Sequence, residues 1–70
     1  MTPARTITLN GAIHPLEKSI PLDNLLDHLG LAGKPVVIEL NEQPVFPRDY
    51  RCSLIEPGAR LEIVTLAAGG

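Results

Sequence analysis

Leu22, Leu25, Leu26 and Leu29 fall at i, i+3, i+4 and i+7, while Asp23, Asn24, Asp27 and His28 take the opposite side. That spacing is the apolar stripe of one amphipathic helix, and every other patterned stretch of the chain is strand-like. Pro21 suits an early helical position and Gly30 the left-handed residue just past the end. These signals predict a helix over residues about 21–29, with Ser19 as the candidate N-cap.

Before the helix, Thr6-Ile7-Thr8-Leu9 alternates polar with apolar and leads through Asn10-Gly11 into Ala12-Ile13-His14. Asn-Gly tolerates positive φ at both positions, as a type I′ turn demands, so this reads as a hairpin that Pro15 ends or loosens. After the break at Gly33-Lys34-Pro35, Val36–Leu40 reads as a buried strand with Val36, Ile38 and Leu40 on one face. Asn41-Glu42-Gln43 is the turn after it. Val45-Phe46 is a short return strand, placed at a sheet edge because Pro44 has no N–H to donate.

Pro47-Arg48-Asp49-Tyr50 and, after Leu54 and Ile55, Pro57-Gly58 mark two further turns. Arg60–Leu66 is the last strand. Leu61 and Ile63 should point inward, with Glu62, Val64 and Leu66 facing away from the helix on the same sheet face as Val37 and Glu39. Residues 1–66 thus read as one domain, followed by a flexible tail, residues 67–70, whose Ala67, Ala68, Gly69 and Gly70 have no side chain large enough to pack.

Seventy residues support one modest core and leave no room for a deep catalytic cleft. With 44% apolar and 20% charged residues, the chain is too hydrophobic to remain disordered. A net charge of -2 without a Lys/Arg cluster gives no footprint for nucleic acid or an anionic membrane. Phe46 and Tyr50 are too few for a base-stacking platform. Cys52 stands alone and cannot form an internal disulfide, which fits a reducing cytoplasm. No apolar run approaches the ~20 residues that span a bilayer, and Met1–Asn10 lacks a signal-peptide core.

The side chains able to carry chemistry each have a plainer reading. Cys52 has only Arg51 beside it to depress its pKa and is expected as a small semi-buried apolar residue. His14 and His28 lie on separate elements without partners at metal-ligand spacing, so no metal is expected. Asp23 and Asp27 read as a solvated helix face, and Arg48 with Asp49 as an ion pair within a turn.

The last two residues are different. An enzyme that acts on a main-chain carboxylate needs the chain to enter a narrow channel as bare backbone, and Gly69-Gly70 supplies that. Four residues beyond Leu66 reach roughly 13–14 Å when extended, enough to enter another protein's site while the globular body stays outside. A free carboxylate is a poor electrophile and would first have to be activated, as by adenylation, after which a sulfur nucleophile could displace AMP to leave a thiocarboxylate.

The succession Thr6–Leu9, Asn10-Gly11, Leu22…Leu25-Leu26…Leu29-Gly30, Val36–Leu40-Asn41, Pro47-Arg48, Pro57-Gly58, Leu61–Val64 and Gly69-Gly70 resembles the ThiS family of sulfur carrier proteins along nearly the whole chain. The resemblance implies an α+β, ubiquitin-like β-grasp: a mixed sheet of four to five strands crossed by one helix, with the first and last strands side by side and parallel. It also implies that a ThiF-type adenylating enzyme would consume ATP to activate Gly70, with no cofactor bound by the chain itself. Sulfur would originate from cysteine by way of a cysteine desulfurase persulfide and pass to thiazole synthase. Gly69, Ala68 and Ala67 would give access and reach, Val64, Leu66, Glu62 and Val37 a docking surface, and the free chain would be a monomer.

The molybdopterin-synthase small subunit shares the fold and the terminal Gly pair and is the alternative within the superfamily. A β-grasp interaction module and a protein modifier are the alternatives outside it. The sequence departs from its relatives at two places. Relatives commonly carry Asn-Gly after the third strand, whereas Asn41-Glu42-Gln43-Pro44 is one residue longer before Pro47-Arg48, which predicts a looser hairpin. Ala68 stands where ubiquitin has Arg, which weighs against the modifier reading.

Overall fold

The computed structural model describes residues 5–66. In chain order the elements are β1 (Thr6–Leu9), β2 (Ala12–Pro15), β3 (Ile20–Pro21), α1 (Leu22–His28), β4 (Val36–Leu40), β5 (Gln43–Val45), a 3-10 helix (Pro47–Cys52), β6 (Leu54–Ile55) and β7 (Arg60–Thr65). Five strands form one mixed sheet ordered β2-β1-β7-β4-β5, and β3 with β6 forms a separate two-stranded ladder. β1 and β7 run parallel in the middle of the sheet, and the other pairs are antiparallel. This is the β-grasp arrangement that the resemblance implied.

A seven-residue helix would not persist alone in water; α1 exists because its leucines are buried. Leu22, Leu25 and Leu26 pack with Ile7 of β1, Ile38 of β4 and Leu61 and Ile63 of β7. Leu16, Ile55 and Ala59 complete the buried cluster. The stripe read from the sequence is therefore the core, on one face of the sheet.

The ends of α1 differ from expectation at one side and match it at the other. Pro21, not Ser19, occupies the N-cap position, and no side chain caps it. Residues 20 and 21 instead pair with Ile55 and Leu54, and the Leu22 N–H donates to the Ser53 carbonyl at 2.8 Å. A neighbouring segment thus satisfies the first of the donors that a helix start leaves without an intrahelical partner. At the C-terminus, Gly30 is left-handed at φ 75°. Its N–H donates to the Asp27 carbonyl, and that of Leu31 reaches back to Leu26, which together form a Schellman motif.

The hairpin predicted to be loose is tight. Leu40 pairs with Gln43, leaving Asn41 and Glu42 as a two-residue turn with φ of 51° and 69°. The return strand is accordingly Gln43–Val45 rather than Val45-Phe46, and Pro44 lies on the edge strand as its missing N–H requires. After it, Pro47–Cys52 forms a 3-10 helix, where only a turn over Pro47–Tyr50 was expected. The β3–β6 ladder carried no signal, because two residues per strand are too few to show alternation.

Asn10 and Asn41 do more than make turns. Asn10, at φ 51°, receives the Ile63 N–H on Oδ1 at 2.7 Å and donates from Nδ2 to the Ile63 carbonyl at 3.1 Å. Its side-chain amide continues the parallel β1–β7 ladder after the backbone has turned away into β2. Asn41 acts similarly on the other flank: its Oδ1 accepts the Arg60 N–H at 2.9 Å, and its own N–H donates to the Arg60 carbonyl. Both sides of β7 are thereby fastened.

Glu42 holds a left-handed conformation that costs an L-residue roughly 1–2 kcal/mol and glycine almost nothing. Its carboxylate lies 3.7 Å from Arg60, but that pair is exposed and contributes little. After subtracting the unfolded-chain entropy of glycine, Glu42→Gly is expected to stabilise the fold by about 0.5–1 kcal/mol. Thermal denaturation should show a midpoint about 2–8 °C higher; a lower midpoint would mean that the Glu42–Arg60 pair outweighs the turn strain.

Candidate functional site

Helix α1 covers one face of the five-stranded sheet; the opposite face carries Val37, Glu39, Glu62 and Val64. Val37 stands directly opposite Val64 across the β4–β7 ladder, and Glu39 opposite Glu62. The two valines are 51% and 58% exposed, an apolar pair facing solvent. The two carboxylates repel at this spacing. Arg60, on the same strand as Glu62, offsets part of that repulsion, with Nε 3.8 Å from Glu62 and Nη1 3.7 Å from Glu42. The structure therefore brings Val64, Glu62 and Val37 together on one face, as the sequence predicted.

Leu66 departs from that group. β7 ends at Thr65, paired with Val36, and the Leu66 N–H donates to the Pro35 carbonyl at 2.9 Å, beyond the ladder. Strict alternation no longer applies there. Leu66, about half exposed, lines a concavity of about 470 Å³ with Leu26 of α1, Leu31, Val36, Pro47 and Tyr50, on the helix side of the sheet. The predicted docking surface is thus divided between two faces that meet near the end of β7. Ala67, Ala68, Gly69 and Gly70 lie outside the described residues.

A family model described as the ThiS family matches residues 3–70. The chain belongs to the ThiS family. A search of curated proteins gives no match. Among solved structures, the chain is similar to the crystal structure of the thiamine biosynthesis protein ThiS from Geobacter metallireducens. The TM-score is 0.80 at 24% identity, covering 93% of this chain and 99% of that one. A solution NMR structure of a thiamine biosynthesis protein from the same organism gives a TM-score of 0.77 at 24% identity, with 93% and 87% covered. At that identity the likeness establishes the fold.

The remaining residues singled out from the sequence sit as follows. Cys52 is exposed, not semi-buried: it ends a 3-10 helix that buries none of its residues. Asp23 and Asp27 are exposed, as a solvated helix face should be. Arg48 lies 3.8 Å from Asp49 and also stands over the Phe46 ring, 5.6 Å from its centroid. The His14 ring places Nδ1 2.9 Å from the Pro15 carbonyl. Among the described residues, no group of three or more His, Cys, Asp or Glu side chains is placed to hold a metal ion. No helix among them is long and apolar enough to cross a membrane.

Sequence reasoning missed the concavity. Its walls come from segments as distant as Leu26, Pro47 and Leu66, and only the fold assembles them. Half-buried in the wall, the Tyr50 phenol has its pKa raised above the ordinary 10.0 by desolvation. The neutral phenol is favoured in the fold. Its contribution to stability is therefore complete below pH about 10, the unfolded value, and is lost as pH rises through the higher folded value. Tyr50 is the only tyrosine, so phenolate absorbance reports it directly. The native chain should titrate above its denatured form, and Tyr50→Phe should remove this component of the alkaline loss of stability; titration at or below the denatured value would contradict the assignment.

Proposed function

We propose that this chain is a sulfur carrier protein of thiamine biosynthesis, with the Gly70 carboxylate as the group that carries sulfur. The observation that supports it most is the extent of the family match, which runs to residue 70 and so takes in Gly69 and Gly70 together with the β-grasp body. The similar solved structures, described as ThiS and a thiamine biosynthesis protein, favour this reading over the molybdopterin-synthase alternative.

The chemistry follows from the carboxylate. A Gly70 oxygen attacks the α-phosphorus of ATP, pyrophosphate leaves, and the resulting acyl adenylate is an electrophile that the free carboxylate is not. The terminal sulfur of a persulfide adds to that carbonyl carbon and AMP departs, leaving an acyl disulfide; a thiol then attacks the sulfur that belonged to the donor cysteine, forming a disulfide with it and releasing the thiocarboxylate. In this reading a ThiF-type enzyme consumes the ATP, a cysteine desulfurase persulfide is the source of sulfur, and thiazole synthase accepts it. The chain is a cosubstrate, not a catalyst, and binds no cofactor of its own. It acts in the cytoplasm as a free monomer between encounters.

The body of the domain has a task in this scheme. Contacts made by Val37, Val64 and Glu62 hold the carrier on each partner, so that Gly70 reacts as if intramolecularly within the complex. Gly69 and Gly70 admit the thread to a narrow slot, and Ala67 and Ala68 add reach without bulk.

Intact-mass analysis tests the proposal. After incubation with an activating enzyme, ATP and a sulfur donor, the chain should gain the mass of one oxygen-to-sulfur exchange, confined to the last residue. Deleting Gly70 should abolish the gain. An unchanged mass in the presence of an enzyme that labels another ThiS-family chain would contradict it, as would ladders of lysine-tagged proteins in an extract supplied with ATP.

A further inference from the structure

We infer that the concavity beside Leu66 receives a large aliphatic or aromatic side chain of the enzyme that activates Gly70, a second grip on the helix side of the domain, separate from the Val37–Val64 face. The inference rests on the sulfur-carrier reading and states where else the partner holds the chain.

The concavity is built where three segments converge. The Schellman end of α1 supplies Leu26 and Leu31, the loop through Pro35 leads into Val36, and the 3-10 helix supplies Pro47 and Tyr50. Three main-chain donors in its walls are already used: Leu31 N–H on Leu26, Lys34 N–H on Leu31 and Leu66 N–H on Pro35. Among the described residues, the only charged ones lining it are Asp23 and Lys34, one of each sign. A site with a mainly apolar lining and one charge of each sign selects a neutral apolar group over an ion.

The reach of the chain indicates whose group it is. Four residues follow Leu66, and fully extended they span at most roughly 13–14 Å. When Gly70 occupies a catalytic slot, the mouth of that slot must lie within this distance of Leu66. An enzyme large enough to bind ATP around such a slot presents a surface far wider than the thread it admits. That surface comes to rest against whatever surrounds Leu66, and Leu66 is itself a wall of the concavity. A recessed apolar site at the root of the thread is where a partner's anchoring side chain gains most from desolvation.

Leu66→Asp places a charge in the lining and Ala32→Trp adds bulk to it. Ala32 is exposed and Leu66 lies past the end of β7, so neither change touches the core, and circular dichroism verifies the fold. ATP–pyrophosphate exchange with an activating enzyme should show KM for each variant raised about tenfold, with the loss at saturation smaller. Exchange supported by the wild-type chain with KM for both variants within about twofold of it would overturn this inference alone. Failure of the wild-type chain to support exchange would remove the sulfur-carrier reading and this inference with it. Self-association of the wild type that Leu66→Asp abolishes would assign the concavity to a second copy and overturn the inference.

Discussion

β7 is held on one side by β4, which pairs with it at five positions, and on the other by β1, whose shorter hold is extended by the amide of Asn10, hydrogen-bonded through both of its polar atoms to Ile63. The β1–β7 ladder pairs Thr8 with Arg60 and Leu9 with Leu61, with backbone bonds from the Gly58 N–H to Thr6 and from the Asn10 N–H to Leu61 at its two ends, before the chain turns into β2. The two part-buried hydrogen bonds of the Asn10 amide are worth about 1–3 kcal/mol together, a sizeable share of what a domain of this length can have. Asn41 does the matching work at Arg60 on the β4 side. In both cases the left-handed backbone that makes the turn also swings the side chain over the neighbouring strand, so one residue serves two purposes.

From that clasp the rest of the domain follows. β7 lies in the middle of the sheet with Leu61 and Ile63 committed to the core, and α1 closes over them. Its other side chains, Glu62 and Val64, are left for solvent or a partner. The strand leads directly to Leu66, where the open sheet face and the helix-side concavity meet. A carrier must combine a rigid body that partners can recognise with a slender extension that they can act on. Anchoring β7 centrally, with parallel and antiparallel neighbours, gives Leu66 a fixed position at its end.

Much of this was legible in the residues. The leucine stripe identified the helix, because four apolar positions at 3.6-residue spacing have no strand counterpart, and Asn10-Gly11 identified the first hairpin through its tolerance of positive φ. Alternation along Arg60–Leu66 separated Leu61 and Ile63 from Glu62 and Val64 correctly. It failed at Leu66, since periodicity cannot show where a strand's last hydrogen bond lies. The Asn41-Glu42 turn was misjudged because glutamate is rare at positive φ, and the sequence does not reveal that Asn41 is fastened to Arg60. Residue-type averages favour burial for Cys52, whereas the 3-10 helix it ends turns only Tyr50 toward the core and leaves Cys52 exposed. The concavity left no local signal at all, being made from segments far apart in the chain. Gly69 and Gly70 carried the functional suggestion through their chemistry alone.

Carrying sulfur is completed only when sulfur leaves, so the delivery step examines the account most directly. The chain bearing isotopically labelled sulfur at Gly70, purified away from the activating enzyme, ATP and donor, can be given to a thiazole-forming synthase with its other substrates. The label is expected in the small thiazole product, in step with return of the chain to its unmodified mass. Product formed without label, or label that remains on the chain while product accumulates, would contradict the claim that this protein delivers sulfur.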